Sequence, residues 1–194
     1  MKKITAKKKN ELLCNPYLIG KHTYLRPVER DDATVLEQWH NDPEIRKFIR
    51  CGGLPVSRAS EQDDIEAART AEEVYLLIVL KRSNKPVGFV RSKVIDVPAR
   101  TVWLRFAIGD RTAWGGGYAR EALVLFMDWL FYEQNMRRVT LETYATNKRA
   151  ITFFQRIGFK QEGVLRQAVY IDGAYEDIIA FGLLRKEFKA KNTA

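Results

Sequence analysis

The sequence predicts an α+β fold with about seven strands, and three observations carry that reading. Residues 102–108 (VWLRFAI) have strand length and composition, and Gly115, Gly116 and Gly117 then lead into a segment with Ala122, Leu125, Phe126, Trp129 and Leu130 at helical spacing. Helix-period segments fill much of the chain before residue 70, whereas apolar extended runs dominate from residue 74 onward. The chain then closes on two long extended segments joined at Asp172-Gly173, a pair suited to a two-residue hairpin turn.

In chain order, residues 22–27 (HTYLRP) alternate as a first strand ended by Pro27. Asp31 is placed to cap a helix with Ala33, Leu36 and Trp39 on one face. Asn41-Asp42-Pro43 stops it and restarts a shorter helix, because proline is tolerated in a first turn. Residues 51–56 read as a loop, and Ser60 with Asp63 as a weak capping box for a helix to about Arg69. Residues 74–80 and 87–94 form an antiparallel hairpin across a turn at 83–86, and residues 102–108 pair with it after the break at Pro98. Residues 138–145 alternate as a strand, residues 147–157 return to helical spacing, and Gly158 ends that helix. Residues 159–171 and 174–184 supply the closing hairpin.

The 194 residues, 46% hydrophobic and 11% aromatic, are enough for one sizeable core. The expected organisation is a basic tail over residues 1–15, a single domain over 16–188 and a second basic tail over 189–194. No apolar run approaches membrane-spanning length, and residues 1–10 lack the apolar middle of a signal peptide, so the expected compartment is cytoplasmic. Cys14, Cys51, His22 and His40 show no metal-ligand or nucleophile spacing, which argues against a zinc site, a disulfide framework and cysteine catalysis. Most of the net charge of +9 lies in the two ends: Lys2, Lys3, Lys7, Lys8 and Lys9 at one, and Arg185, Lys186, Lys189 and Lys191 at the other. Such a tail is a solvated feature or an arm for ribosome or nucleic acid.

A strand, a glycine turn and a helix start leave unpaired N–H groups at the positive end of a helix dipole. That arrangement suits a phosphate or pyrophosphate. Arg120 stands where a dinucleotide fingerprint needs its third glycine, and no Gly-Lys-Ser/Thr follows for a P-loop.

With WGGGYAREAL, NKRAITFFQRIGF and the terminal hairpin in this order, the sequence resembles the GNAT superfamily of acetyl-CoA-dependent N-acetyltransferases from about residue 23 to 188. YLRPVERDDA, WHNDPEIR, EGVLR and DGAYED most resemble the branch of ribosomal-protein N-terminal, spermidine and amino-sugar acetyltransferases. The resemblance implies a central, mostly antiparallel mixed sheet with helices on both faces. It implies acetyl-CoA as cosubstrate, no metal, and direct attack of a primary amine on the thioester in a ternary complex.

The family's pyrophosphate turn maps onto Trp114, Gly117 and Ala119, with Trp114 in place of a polar residue, so Gly115, Gly116 and Tyr118 belong to the same cradle. Backbone groups of Phe106, Ala107 and Ile108 are implied at the acyl oxygen. Asn147 matches the asparagine that meets the pantetheine arm and also reads as a helix N-cap. Arg149 and Arg156, seven residues apart on one helix, share a face that suits the cofactor's phosphates or solvent. Many relatives carry a tyrosine acid on this helix, and some an earlier serine. Here Phe154 and Ala150 fill those places, and neither can donate a proton. Glu142 is the candidate base, with Asp177, Glu176 and Asp110 behind it.

The resemblance implies that the early helices and the hairpin line the amine site, near Trp39, Asp42, Tyr170 and Tyr175. The amine belongs to a small molecule or a protein N-terminus. An active acetyltransferase, a coenzyme-A-binding module without catalysis and an RNA- or ribosome-associated protein are the competing functions. The expected assembly is a monomer or homodimer.

Overall fold

The computed structural model describes residues 14–49, 54–70 and 73–189. The first part supplies β1 (Leu18–Ile19), β2 (Thr23–Pro27), a 3-10 turn (Arg30–Asp32), α1 (Ala33–Asn41), α2 (Pro43–Ile49), α3 (Arg58–Thr70), β3 (Glu73–Leu80) and β4 (Lys85–Asp96). Then come β5 (Thr101–Ile108), α4 (Tyr118–Asp128) with a π turn (Trp129–Glu133), β6 (Arg138–Tyr144), α5 (Lys148–Ile157), β7 (Lys160–Ile171) and β8 (Ala174–Leu184). The strands make one sheet in the order β1-β2-β3-β4-β5-β6-β8-β7. All neighbours are antiparallel except β5 and β6.

Side-chain alternation divides the core into two layers. Leu76, Ile78, Val90, Val102, Leu104, Val139 and Leu141 point to one side, where Leu123, Phe126 and Met127 of α4 and Phe154 of α5 cover them. Tyr75, Leu77, Val79, Phe89 and Ala107 point to the other, beneath Leu36 and Trp39 of α1, Ile45 of α2, and Ile65 and Ala68 of α3. Helices therefore cover both faces, each bound by an apolar stripe in which truncating one large residue costs about 2–5 kcal/mol.

Several local readings need correction. The sheet has eight strands: residues 18 and 19 add a two-residue strand too short to show a period, paired with Tyr24 and Leu25. The first helix is preset by Asp32, which accepts from the Glu29 N–H at 2.8 Å and is clamped by both guanidinium nitrogens of Arg26 at 2.8 Å, rather than by Asp31. The third helix starts three residues early: Ser57 and Ser60 exchange backbone-to-hydroxyl bonds of 3.1 Å, a capping box in which Ser60 is the inner member. The β3–β4 turn spans residues 81–84, where Asn84 takes φ 51°, and Pro86 already lies in β4. The helix after the glycine turn also buries Leu123 and Met127, while Leu125 is only half-buried, and its last turn widens into the π turn. Cys51, the lysines of residues 1–10 and the end of the C-terminal tail lie outside the described residues.

Among the described residues no helix is long and apolar enough to cross a membrane. Nor does any group of three or more metal-ligating side chains gather among them.

Candidate functional site

The parallel pair decides where a ligand can sit. β5 and β6 bond only from Thr101–Trp103 to Arg138–Thr140, after which they part: β6 continues against β8 and β5 against β4. Phe106, Ala107 and Ile108 thus border a cleft on their β6 side. Phe153 of α5 spans the opening with its ring stacked on Phe106, centroids 5.7 Å apart and planes 16° from parallel.

Both helices that follow the parallel strands begin at this cleft. The unpaired first-turn N–H groups of α4 and the positive dipole ends of both helices therefore converge at the carboxyl ends of β5 and β6, as at the switch point of an α/β sheet. Gly117 is the N-cap of α4 at φ 77°, and Gly115 sits at φ 82°, left-handed conformations that disfavour side chains. A Cβ added to either would meet nothing within 4 Å, so the turn faces open space. Asn147 caps α5, its side-chain oxygen accepting from the Ala150 N–H at 3.1 Å, which leaves the amide nitrogen as a donor at the rim.

Trp114 holds the turn in place. Its indole N–H donates to the Ile108 carbonyl at 3.2 Å, and Arg149 lies over its face with the guanidinium carbon 3.8 Å from the ring centre. Burial there lowers the Arg149 pKa from its ordinary value, though the group stays charged. Arg156 is exposed, and its carbonyl accepts from Arg120 of α4 at 3.4 Å. Tyr118 and Ala119 occupy the first turn of α4. Phe154, next to Phe153, is 6% exposed and packs on Phe153, Phe159 and Phe181.

The residues expected at the amine site fall into two groups. Trp39 is buried against the strand that leads to the turn, since a Cβ on Gly109 would overlap its indole. Asp42 accepts from the Glu44 N–H at 2.8 Å and faces Arg111 at 3.7 Å. Trp39 and Asp42 thus flank the β5–α4 connection. Tyr170 and Tyr175 instead pair edge to face at 5.1 Å near the tip of the β7–β8 hairpin, both exposed, and no ring contact among the described residues joins them to Trp39.

Glu142 stands on the exposed side of β6 opposite Ala180, with no side-chain partner among the described residues. Asp110 is committed elsewhere. Burial works to raise its pKa, but Lys85 at 2.5 Å and the Thr112 N–H and hydroxyl hold it below the ordinary carboxylate range. Asp177 accepts from the Gln167 N–H at 2.8 Å, which fixes the bulge in β7.

Sequence reasoning missed one buried pair. His40 of α1 and Glu61 of α3 are 4% and 2% exposed, and His40 Nδ1 lies 2.7 Å from Glu61 Oε1. A signal was present in the sequence. His40 extends the apolar series Ala33, Leu36 at helical steps, and Glu61 begins the series Ile65, Ala68, so each puts a titratable group on a core-facing stripe.

Residues 22–160 match the family model described as an acetyltransferase (GNAT) domain. The chain is 27% identical over 169 residues to an uncharacterized N-acetyltransferase, p20, of Bacillus licheniformis, covering 84% of this chain and 93% of that protein. It is 24% identical over 168 residues to the spermidine N(1)-acetyltransferase of Escherichia coli K12, covering 87% and 89% of the two chains. A crystal structure of spermidine N-acetyltransferase from Vibrio cholerae, in complex with CoA and spermine, superposes with a TM-score of 0.77 at 21% identity, covering 86% of this chain and 97% of that one. The matched region holds the parting strands, the glycine turn and both helix starts, and the chain belongs to the GNAT acetyltransferase family.

Proposed function

We propose that the chain transfers the acetyl group of acetyl-CoA to a primary amine by direct attack, with both substrates in the cleft between β5 and β6. The observation that carries this reading is the convergence of two helix N-termini, one entered through left-handed glycines, on the cleft that opens where the parallel strands part. Family membership supports it.

The residues fit the cosubstrate. The N–H groups of residues 115–119 cradle the pyrophosphate, Arg149 adds a positive charge held in place by Trp114, and the Asn147 amide donates to the pantetheine arm. When bound, acetyl-CoA supplies the activated acyl carbon. Beyond the last β5–β6 pair, backbone N–H groups of the segment Phe106, Ala107 and Ile108 orient the acyl oxygen and stabilise the charge that develops on it, while the Ile108 carbonyl is taken up by the Trp114 indole. Phe153 and Phe106 close the apolar floor and keep water from the thioester. Trp39 and Asp42 border the amine's entry.

Free-thiol release from acetyl-CoA, measured across a polyamine, an amino sugar, an aminoglycoside and a peptide with a free N-terminus, tests the reading. One of the four is expected to turn over, and acetyl-CoA alone is expected to raise the melting temperature. A melting shift without thiol release for any amine would identify a binding module instead.

A further inference from the structure

Transfer from an ammonium requires a group that takes its proton, and the exposed carboxylate of Glu142 has nothing to position it. Among the described residues, His40 is a basic group that is buried, oriented and without an assignment. His40 Nδ1 meets Glu61 Oε1 at 2.7 Å, so the neutral imidazole carries its proton on Nδ1, donates to the carboxylate and presents Nε2 as the basic nitrogen. His40 Nε2 and Glu61 Oε2 are both buried without a hydrogen-bond partner. Buried polar atoms of this kind are satisfied by internal water, and an imidazole nitrogen joined to water is a proton acceptor.

The pair sits directly behind the cleft wall. His40 packs edge to face on Phe89, ring centroids 5.8 Å apart, and Phe89 lies opposite Ala107 of β5 in the strand register. Trp39, the preceding residue, rests on Gly109, one residue beyond β5. The C-terminal turn of α1 therefore connects the buried imidazole to the mouth of the acceptor site.

We propose that His40, oriented by Glu61, receives through water the proton that the acceptor ammonium must lose. The inference rests on the acetyltransferase reading. The ammonium gives one proton by way of water to His40 Nε2, and the neutral amine nitrogen forms a bond to the acyl carbon. The carbon–sulfur bond breaks, the second amine proton passes to the thiolate, and His40 returns its proton to solvent. The charged and titratable groups around the pair are Glu61 and Asp64 of α3, Glu73 and Tyr75 of β3, Arg91 of β4, Arg105 of β5 and Asp42 beyond α1. Asp64 and Glu73 are held by Arg91, which leaves Glu61 as the carboxylate that supports a positive imidazole.

The test uses kcat/KM against pH for the acceptor that turns over, and for a derivative fluorinated beside the reacting nitrogen so that its amine is already neutral. In the unaltered protein the acid limb for the ordinary amine is expected to coincide with the titration of His40, followed by NMR of the two histidines. In H40Q the rate with the ordinary amine is expected to fall about 10²-fold and lose that limb. The rate with the neutral amine is expected to fall by less than about threefold, and acetyl-CoA binding to persist. E61Q, which removes the carboxylate that orients the ring at Nδ1, is expected to lower the rate with the ordinary amine and to spare the neutral amine. Equal losses with both amines would make the pair purely structural and overturn the assignment. So would an acid limb that does not match the His40 titration, a readout that needs no variant to fold. Absence of thiol release by the unaltered protein with any amine would overturn the acetyltransferase reading and this assignment with it, whereas a mismatch in an active protein overturns only the assignment.

Discussion

Arg149 lies over the face of Trp114, its guanidinium carbon 3.8 Å from the ring centre, so the helix after β6 grips the residue that opens the glycine turn after β5. The stack holds a positive charge at the place where two helix starts already favour an anion. R149A is expected to weaken acetyl-CoA binding about three- to tenfold and to flatten its dependence on salt, read by calorimetry at two ionic strengths. R149K keeps the charge but not the guanidinium over the indole, and should recover the salt dependence without the full affinity. Unchanged affinity in R149A would reduce the stack to packing alone.

Gly117 takes φ 77° with open space beyond its α-carbon. In G117V the added Cβ meets no protein atom within 4 Å, so the cost expected is the backbone conformation, about 1–2 kcal/mol or more for a branched residue, together with a side chain in the cradle. The variant should remain folded and lose the melting shift with acetyl-CoA. A folded G117V that binds normally would place the cofactor elsewhere.

Asn147 has two tasks that substitution can separate. Its oxygen caps α5 through the Ala150 N–H, and its nitrogen is free to donate toward the cleft. N147A should lose about 1 kcal/mol of stability and cofactor affinity together, while N147D should keep the cap and lose only the donor. Denaturant melts paired with acetyl-CoA titrations distinguish the two, and equal affinity in N147D and the unaltered chain would remove Asn147 from the cofactor site.

Phe154 occupies the place of a tyrosine acid in many relatives, yet here it is enclosed by Phe153, Phe159 and Phe181. F154Y therefore puts a hydroxyl into an aromatic core, at about 1–3 kcal/mol without a partner. It is expected to lower stability and leave turnover unimproved, as measured by thermal melts and thiol release. A rise in turnover would show that the hydroxyl reaches the leaving sulfur and that this ring is not confined to the core.

The local signals in the chain were legible because they act over few residues. Asp172 at φ 49° and Gly173 at φ 85° form the hairpin turn their pair predicts, and Asn147 caps the helix it precedes. The strands of β3, β4 and β5 follow their apolar runs. What stayed hidden depends on distant partners. His40 and Glu61 are 21 residues apart on two helices, and each resembles an ordinary polar residue until the helices pack. Phe154 has the same character in reverse: alignment with a motif puts it at a reaction centre, whereas three aromatic rings from elsewhere in the chain and its own helix enclose it.

Glu121, in the first turn of α4, accepts from the His22 N–H, the Thr23 N–H and the Thr23 hydroxyl at 2.8, 2.9 and 3.0 Å. A carboxylate satisfied by groups almost a hundred residues away works as a mooring line, making the start of the domain part of the foundation of the glycine turn. Deleting residues 1–10 leaves the line intact and should not change acetyl-CoA affinity. Deleting through residue 23 cuts it, leaving Glu121 unanchored beside the glycine turn, and should weaken cofactor binding beyond what the lost strand costs in stability. E121A in the full-length chain should reproduce part of that loss. For expression work, the place where the polypeptide is trimmed thus becomes a control on ligand affinity.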